Sequence, residues 1–244
     1  MQNWSDPRTT TAADPAVSVG VPRAARDAGL RSYMLSVYNM MASGVLLTGI
    51  VALVLAQIGV AQTLVENPIL RLAAAFSPLI MILVVSFRFE KMSTASLHTF
   101  FWTFATLMGI SMSVIPLIFE AGSIATTFFA TAVAFLSLSL WGYTTKKDLS
   151  GLGTFLIMGV VGLLVLMIAN IFIQSSGLAL AISAVGVLLF AGLTAYDTQK
   201  IKSMYDYVAG TDMMGKVVVM GALTLYLDFI NMFQFLLSFL GNRE

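Results

Sequence analysis

From Leu149 to Tyr196 the chain runs 48 residues without an Asp, Glu, Lys or Arg. A water-facing helix needs a polar face, and one bilayer crossing takes about 20 apolar residues, so this stretch holds two crossings. Gln174-Ser175-Ser176-Gly177 is the only turn it offers between them. The rest of the chain agrees. Its 244 residues are 58% hydrophobic and only 10% charged, the mean hydropathy is +0.90, and soluble domains carry about 25% charged residues. The expected class is an all-α polytopic membrane protein. A net charge of +1 points to no nucleic acid partner, and the absence of cysteine excludes disulfides, thiol catalysis and Cys-ligated metal. Fifteen methionines spread over many segments read as adaptable packing between helices rather than a metal relay.

Residues 1–30 are rich in Ser, Thr, Ala, Pro and Asp and lack the apolar core of a signal peptide, so they read as a disordered cytoplasmic tail. Residues 31–244 then form one transmembrane domain. The apolar runs are Tyr33 to Ala56, Leu72 to Phe87, His98 to Glu120, Glu120 to Lys146, the two halves of the uncharged stretch, and Val217 to Gly241. A short outer loop with Glu66 and Pro68 joins the first two. The sixteen residues of the second reach only about 24 Å as a helix, which would draw Arg88 to the membrane boundary or slightly inside it. Seven spans place eleven of the thirteen Lys and Arg on one side, with only Arg71 and Arg243 opposite. By the positive-inside rule the N-terminus is expected inside and the C-terminus outside.

The last run carries one charge, Asp228, near its centre. A mid-membrane acid is rare and marks a pathway, a relay or a buried pair. On a helical wheel Gly221, Thr224, Asp228, Asn231 and Phe235 share a face that must look at protein or water, which makes Thr224 and Asn231 pore-lining candidates. Two further ionisable groups stand at run ends. Asp197 closes the sixth run, although an acid beside Lys200 also reads as a solvated anchor. Arg88 closes the second, where snorkelling is the ordinary reading. The single histidine, His98, reads as interfacial.

These residues carry a resemblance. Ala195-Tyr196-Asp197-Thr198-Gln199-Lys200-Ile201, followed by Ala222-Leu223-Thr224-Leu225-Tyr226-Leu227-Asp228-Phe229-Ile230-Asn231-Met232-Phe233, resembles the signature of the Bax inhibitor-1 family and its bacterial YccA-like members. The loop Thr144 to Ser150 and the region from Phe87-Arg88-Phe89 to Phe101-Trp102 resemble theirs too, so the likeness spans roughly Ala24 to Gly241. It implies seven helices with the last surrounded by the other six, in a bacterial inner membrane. It also implies a pH-sensitive calcium leak, closed by a hydrogen-bonded pair made of Asp197 and Asp228 and engaged by Arg88. Two carboxylates in a low dielectric cannot both ionise cheaply, so such a pair shares a proton. Their oxygens are also the hard ligands that calcium prefers, which makes both aspartates transient calcium ligands. Calcium is then the transported ion, and no cofactor is expected.

Other classes were weighed. A Tyr-Asp on one helix with an Asp on the next is also found in intramembrane aspartyl proteases. Their second aspartate resembles Gly-x-Gly-Asp, whereas this chain has Tyr226-Leu227-Asp228 and no Pro-Ala-Leu motif after it, so no enzyme is expected. Some relatives are associated with modulation of a membrane-bound AAA protease, which makes a regulator of other membrane proteins the alternative. Gly159, Gly162, Gly186 and Gly192 would then permit close helix contact, with packing inside the bundle as the ordinary reading. One difficulty stands in either case. Counted from the outer ends of their runs, Asp228 lies about 18 Å deep and Asp197 about 28 Å, so contact needs tilt, a break or staggered ends.

Overall fold

The computed structural model describes residues 23–242. Among the described residues it has eight α-helices and no strand: α1 (Arg23–Gln57), α2 (Val60–Glu66), α3 (Pro68–Arg88), α4 (Thr94–Met112), α5 (Ala121–Thr144), α6 (Ser150–Ile173), α7 (Ser176–Val208) and α8 (Met213–Leu240). All except the seven-residue α2 are long and apolar enough to cross a bilayer, which makes seven spans. Short 3₁₀ turns, Phe89–Lys91 and Ile115–Leu117, follow α3 and α4.

Three boundaries differ from the sequence reading. Helix α1 begins at Arg23, inside the segment assigned to the tail; residues 1–22 of that tail lie outside the described residues. The Arg, Ala and Leu of 23–30 are good helix formers and extend a helix whose membrane part is already nucleated. The link expected to be an outer loop contains α2, set off from α1 by Gly59 at φ 86°. Helix α3 begins at Pro68 rather than Leu72, because the Asn67 side chain accepts from Ile69 N (3.0 Å) and Leu70 N (3.2 Å) and proline suits the first helical position. Its 21 residues span about 31 Å. The shortness that would have drawn Arg88 into the membrane is therefore absent. Between α6 and α7, by contrast, the turn falls where expected, with Gln174 in the left-handed region at φ 53°.

Helix α8 runs through the middle. Tyr226, Leu225, Met232, Leu237 and Val219 are among the most deeply buried side chains of the protein. Four helices enclose it, namely α7, α1, α5 and α4, not six; α3 packs chiefly on α4 and α2, and α6 on α7. The outer helices keep broad apolar faces outward, as Phe155, Met158 and Val161 of α6 show. Apolar surface costs nothing in lipid, so close backbone approach and hydrogen bonds must set the order of the bundle.

Small residues mark the close approaches. A Cβ on Gly142 of α5 would stand 2.2 Å from the Ala195 carbonyl oxygen of α7, and one on Gly186 of α7 would stand 2.5 Å from the Phe235 ring of α8. Gly159 meets Leu189 and Gly192 meets Leu156 within the bundle, while Gly162 faces open space. The ordinary packing role therefore accounts for three of the four glycines.

The two ends of the described chain lie at opposite ends of the bundle. Arg26, near the start of α1, donates Nε and Nη2 to the two carboxylate oxygens of Asp206 near the end of α7, at 2.8 and 2.6 Å. After α8, Asn242 accepts from Glu120 N (3.2 Å) and donates to Ser123 Oγ (3.0 Å), which ties it to the α4–α5 link.

Replacing Gly142 with Ala is expected to force α5 off α7, at a cost of about 1 to 3 kcal/mol, and to lower the melting temperature in detergent. Gly151→Ala, on the exposed face of α6 with nothing within 4 Å, is expected to leave it unchanged or slightly raised. Equal melting temperatures for the two variants would contradict the close α5–α7 approach.

Candidate functional site

The site follows from the register of the α7–α8 hairpin. Residues 209–212 make the turn, and the antiparallel pairing is read from Gly221 against Ile201 and from Gly186 against Phe235. That register sets Asp197 opposite Asp228. The two carboxyl groups come close enough for each to feel the other. The depth difficulty disappears because the helix ends are staggered: α7 has 33 residues and α8 has 28, and the first turns of α7 run on past the end of α8. Depth counted from the outer ends was the wrong ruler, since the short turn at the other end sets the pairing.

Asp228 is 4% exposed, and its Oδ2 has no donor among the described residues. A buried carboxylate without a donor is costly, and Asp197 of α7 is the ionisable group that acts on it. Asp197 is half-buried and feels the charge of Lys200, three residues on, whose Nζ lies 5.9 Å from the Tyr196 ring centre. Among the described residues no group of three or more His, Cys, Asp or Glu could hold a metal. Two carboxyls can meet a passing cation, and a resident ion would require more ligands.

The other expected residues are placed as follows. Thr224 and Asn231, half-buried, donate to the carbonyls of Met220 (3.0 Å) and Leu227 (2.8 Å) on their own helix, which leaves Asn231 Oδ1 as an acceptor. Both share the Asp228 face of α8. Arg88 is not brought to the pair: it is exposed at the end of α3 and makes no hydrogen bond or ion pair among the described residues. A helix of full spanning length carries it to the bundle end. His98 is exposed in the first turns of α4.

Several polar contacts around the site had no sequence signal beyond an isolated hydroxyl in an apolar run. Tyr226, two residues before Asp228 and so on the opposite side of α8, bonds Thr48 Oγ1 of α1 at 2.7 Å, and Thr48 donates to the Ala105 carbonyl of α4 at 2.8 Å. Phe101 and Phe104 pack edge-on against the Tyr226 ring. A second chain runs from Tyr38 of α1 to Ser139 of α5 and on to Thr198 Oγ1 of α7, the last step being 2.9 Å. The residue after Thr198, Gln199, straps the α5–α6 loop: its Oε1 accepts from Leu149 N (2.9 Å) and its Nε2 donates to the Lys147 carbonyl (2.8 Å). In that loop Asp148 is held below the usual carboxylate range by the Ser150 hydroxyl and backbone N–H. It contributes above that range and loses its effect only as pH falls through it, so it stays ionised across neutral pH.

Residues 30–244 match the family described as "Inhibitor of apoptosis-promoting Bax1". The chain belongs to the Bax inhibitor-1 family. An uncharacterised protein of Rickettsia prowazekii is 44% identical over 219 residues, covering 89% of this chain and 92% of its own. One from Caulobacter vibrioides is 44% identical over 231 residues with the same coverage. The inner membrane protein YbhL of Escherichia coli is 41% identical over 220 residues, covering 89% of this chain and 94% of its own. This Bax inhibitor-1 family member is accordingly a multi-pass membrane protein, and the resemblance carried by the Asp197 and Asp228 motifs is sustained over nearly the whole chain.

Gln199→Ala is expected to release the strap and speed trypsin cleavage at Lys146 and Lys147 severalfold, with the melting temperature little changed. Unchanged cleavage would mean that the α5–α6 loop is held by other contacts.

Proposed function

We propose that this family member is a passive cation leak, with calcium as its substrate, closed by the proton that Asp197 and Asp228 share. The observation that carries the reading is the placement of two carboxyls opposite each other on the two helices at the heart of the bundle, Asp228 buried with its Oδ2 lacking a donor among the described residues and Asp197 half-buried. With one proton the pair is a hydrogen bond between α7 and α8. Without it two negative charges face each other where water screens them poorly, and the seam between the helices is pushed apart. The freed oxygens, with Asn231 Oδ1 one turn along, then offer a cation hard ligands. Rising pH opens the path and falling pH closes it. The chemistry is transport, without a catalytic step or a cofactor.

In this reading the bundle end that carries Arg26, Arg88, Lys146, Lys147 and Lys202 faces the cytoplasm, by the positive-inside rule, and the membrane is a bacterial inner membrane, like that of YbhL. Arg88 has no part in the closed pair.

The deciding experiment is calcium flux into proteoliposomes of the purified chain at acidic, neutral and alkaline pH. Flux is expected to rise with pH by up to about tenfold per unit, the limit for release of one proton. Asp228→Asn and Asp197→Asn are expected to abolish that dependence, and Arg88→Ala to leave it intact. Flux that ignores pH in the parent would overturn the gate. No flux at any pH from folded protein would overturn the leak and leave the regulator of a membrane-bound protease, an activity that removal of residues 1–24 would then be expected to abolish.

A further inference from the structure

Helices α1 and α5 run antiparallel on α8, and a seam between them stays open. Two cavities lie along it. The larger, about 480 Å³, sits toward the C-terminal end of α8 among Thr48, Ile50, Phe128, Phe229 and Phe233. Its lining is almost wholly apolar and carries no charged group. The other, about 380 Å³, lies at the basic end of the bundle between Arg31, Leu35 and Tyr38 of α1 and Leu136, Leu140 and Tyr143 of α5.

Its lining changes character with depth. Leu35, Leu136 and Leu140 are 50%, 63% and 64% exposed, and both helices are membrane spans, so the mouth opens sideways into hydrocarbon. The floor is the Tyr38–Ser139 hydrogen bond. At the head stands Arg31, exposed and without a hydrogen bond or ion pair among the described residues, unlike its neighbour Arg26, which Asp206 holds. A second cation lies behind the ring that closes the pocket: Lys202 Nζ is 4.7 Å from the Tyr143 ring centre and donates to the Tyr143 carbonyl at 2.7 Å. From Arg31 to Tyr38 the helix rises about 10 Å, within the roughly 15 Å of one leaflet's hydrocarbon. A basic head above a lateral apolar groove in one leaflet matches an amphiphile with a negative head and an alkyl chain.

We infer that this seam binds one acidic phospholipid, its phosphate on Arg31 and one acyl chain lying in the groove over Leu35, Leu136 and Leu140. Lys202 adds positive charge behind the headgroup. A zwitterionic lipid gains the groove but little from the paired cations, and a free anion gains the cations but no groove. The site is independent of the proposed leak: a bundle that conducts nothing would still present it.

The test uses the full chain released from micelles in native mass spectrometry after incubation with phosphatidylglycerol or phosphatidylcholine. The parent is expected to retain phosphatidylglycerol over phosphatidylcholine by about fivefold or more, the worth of one basic residue near an anionic head. Arg31→Gln is expected to remove most of that preference. Leu136→Trp, which fills the groove from an already exposed position, is expected to reduce retention of both lipids. Lys91→Gln, an exposed cation elsewhere on the basic end, is expected to behave as the parent, and excess inorganic phosphate is expected not to compete. Parent-like preference in Arg31→Gln together with parent-like retention of both lipids in Leu136→Trp would overturn the site. So would equal loss in Lys91→Gln, which indicates attraction to the basic rim as a whole, or displacement by inorganic phosphate, which indicates an anion site without an acyl groove.

Discussion

A carboxyl group at the middle of the central helix constrains everything around it. Asp228 sits where neither water nor lipid headgroups reach, so it needs a partner brought by another helix. The α7–α8 hairpin supplies Asp197, and to do so α7 must be long, must overrun the end of α8, and must lie close enough for Gly186 and Gly221 to matter. Close approach of α5 to α7 through Gly142 then closes the next layer. The bundle is thus built outward from one unfavourable group and its remedy.

Hydroxyl contacts do the work that apolar burial cannot do in lipid. Tyr226, Thr48 and the Ala105 carbonyl join α8 to α1 and α4, whereas Tyr38, Ser139 and Thr198 join α7 to α1 and α5, and Tyr33 donates to the Ile201 carbonyl of α7. The two helices of the carboxyl pair are therefore moored to different neighbours, with α1 common to both. Among the described residues none of these hydrogen bonds joins α7 directly to α8. The peripheral helices α3 and α6 show lipid large apolar faces and stand outside this polar frame. Along the α1–α5 side the frame leaves a groove instead of a wall.

Legibility in the sequence divides along a physical line. Span number, the α6–α7 turn and the candidate acids were readable because each is a local property: apolar length, a break in it, or a charge where none is tolerated. The family resemblance in the motifs around Asp197 and Asp228 was readable for the same reason. The start of α1, the small helix α2 and the start of α3 were not, because capping by Asn67 and the reversal at Gly59 outweigh the composition of the flanks. Arg88 shows the cost of such an error, since four residues added before Leu72 remove the argument for pulling it inward. The expectation of six helices around the last one failed differently: a count of spans carries no information on which of them share a face.

The sequence by itself determined that this chain lives in a membrane, crosses it seven times by apolar length, and carries an acid at membrane depth that must be answered. Only the tertiary structure decided that Asp197 stands opposite it in the α7–α8 hairpin, that Arg88 stands apart, and that four helices enclose α8. Hydropathy is summed along the chain, but register, close approach and hydrogen-bond partners are set between segments far apart in it. The 33 residues of α7 against the 28 of α8 set Asp197 opposite Asp228 only when a short turn fixed the hairpin's register.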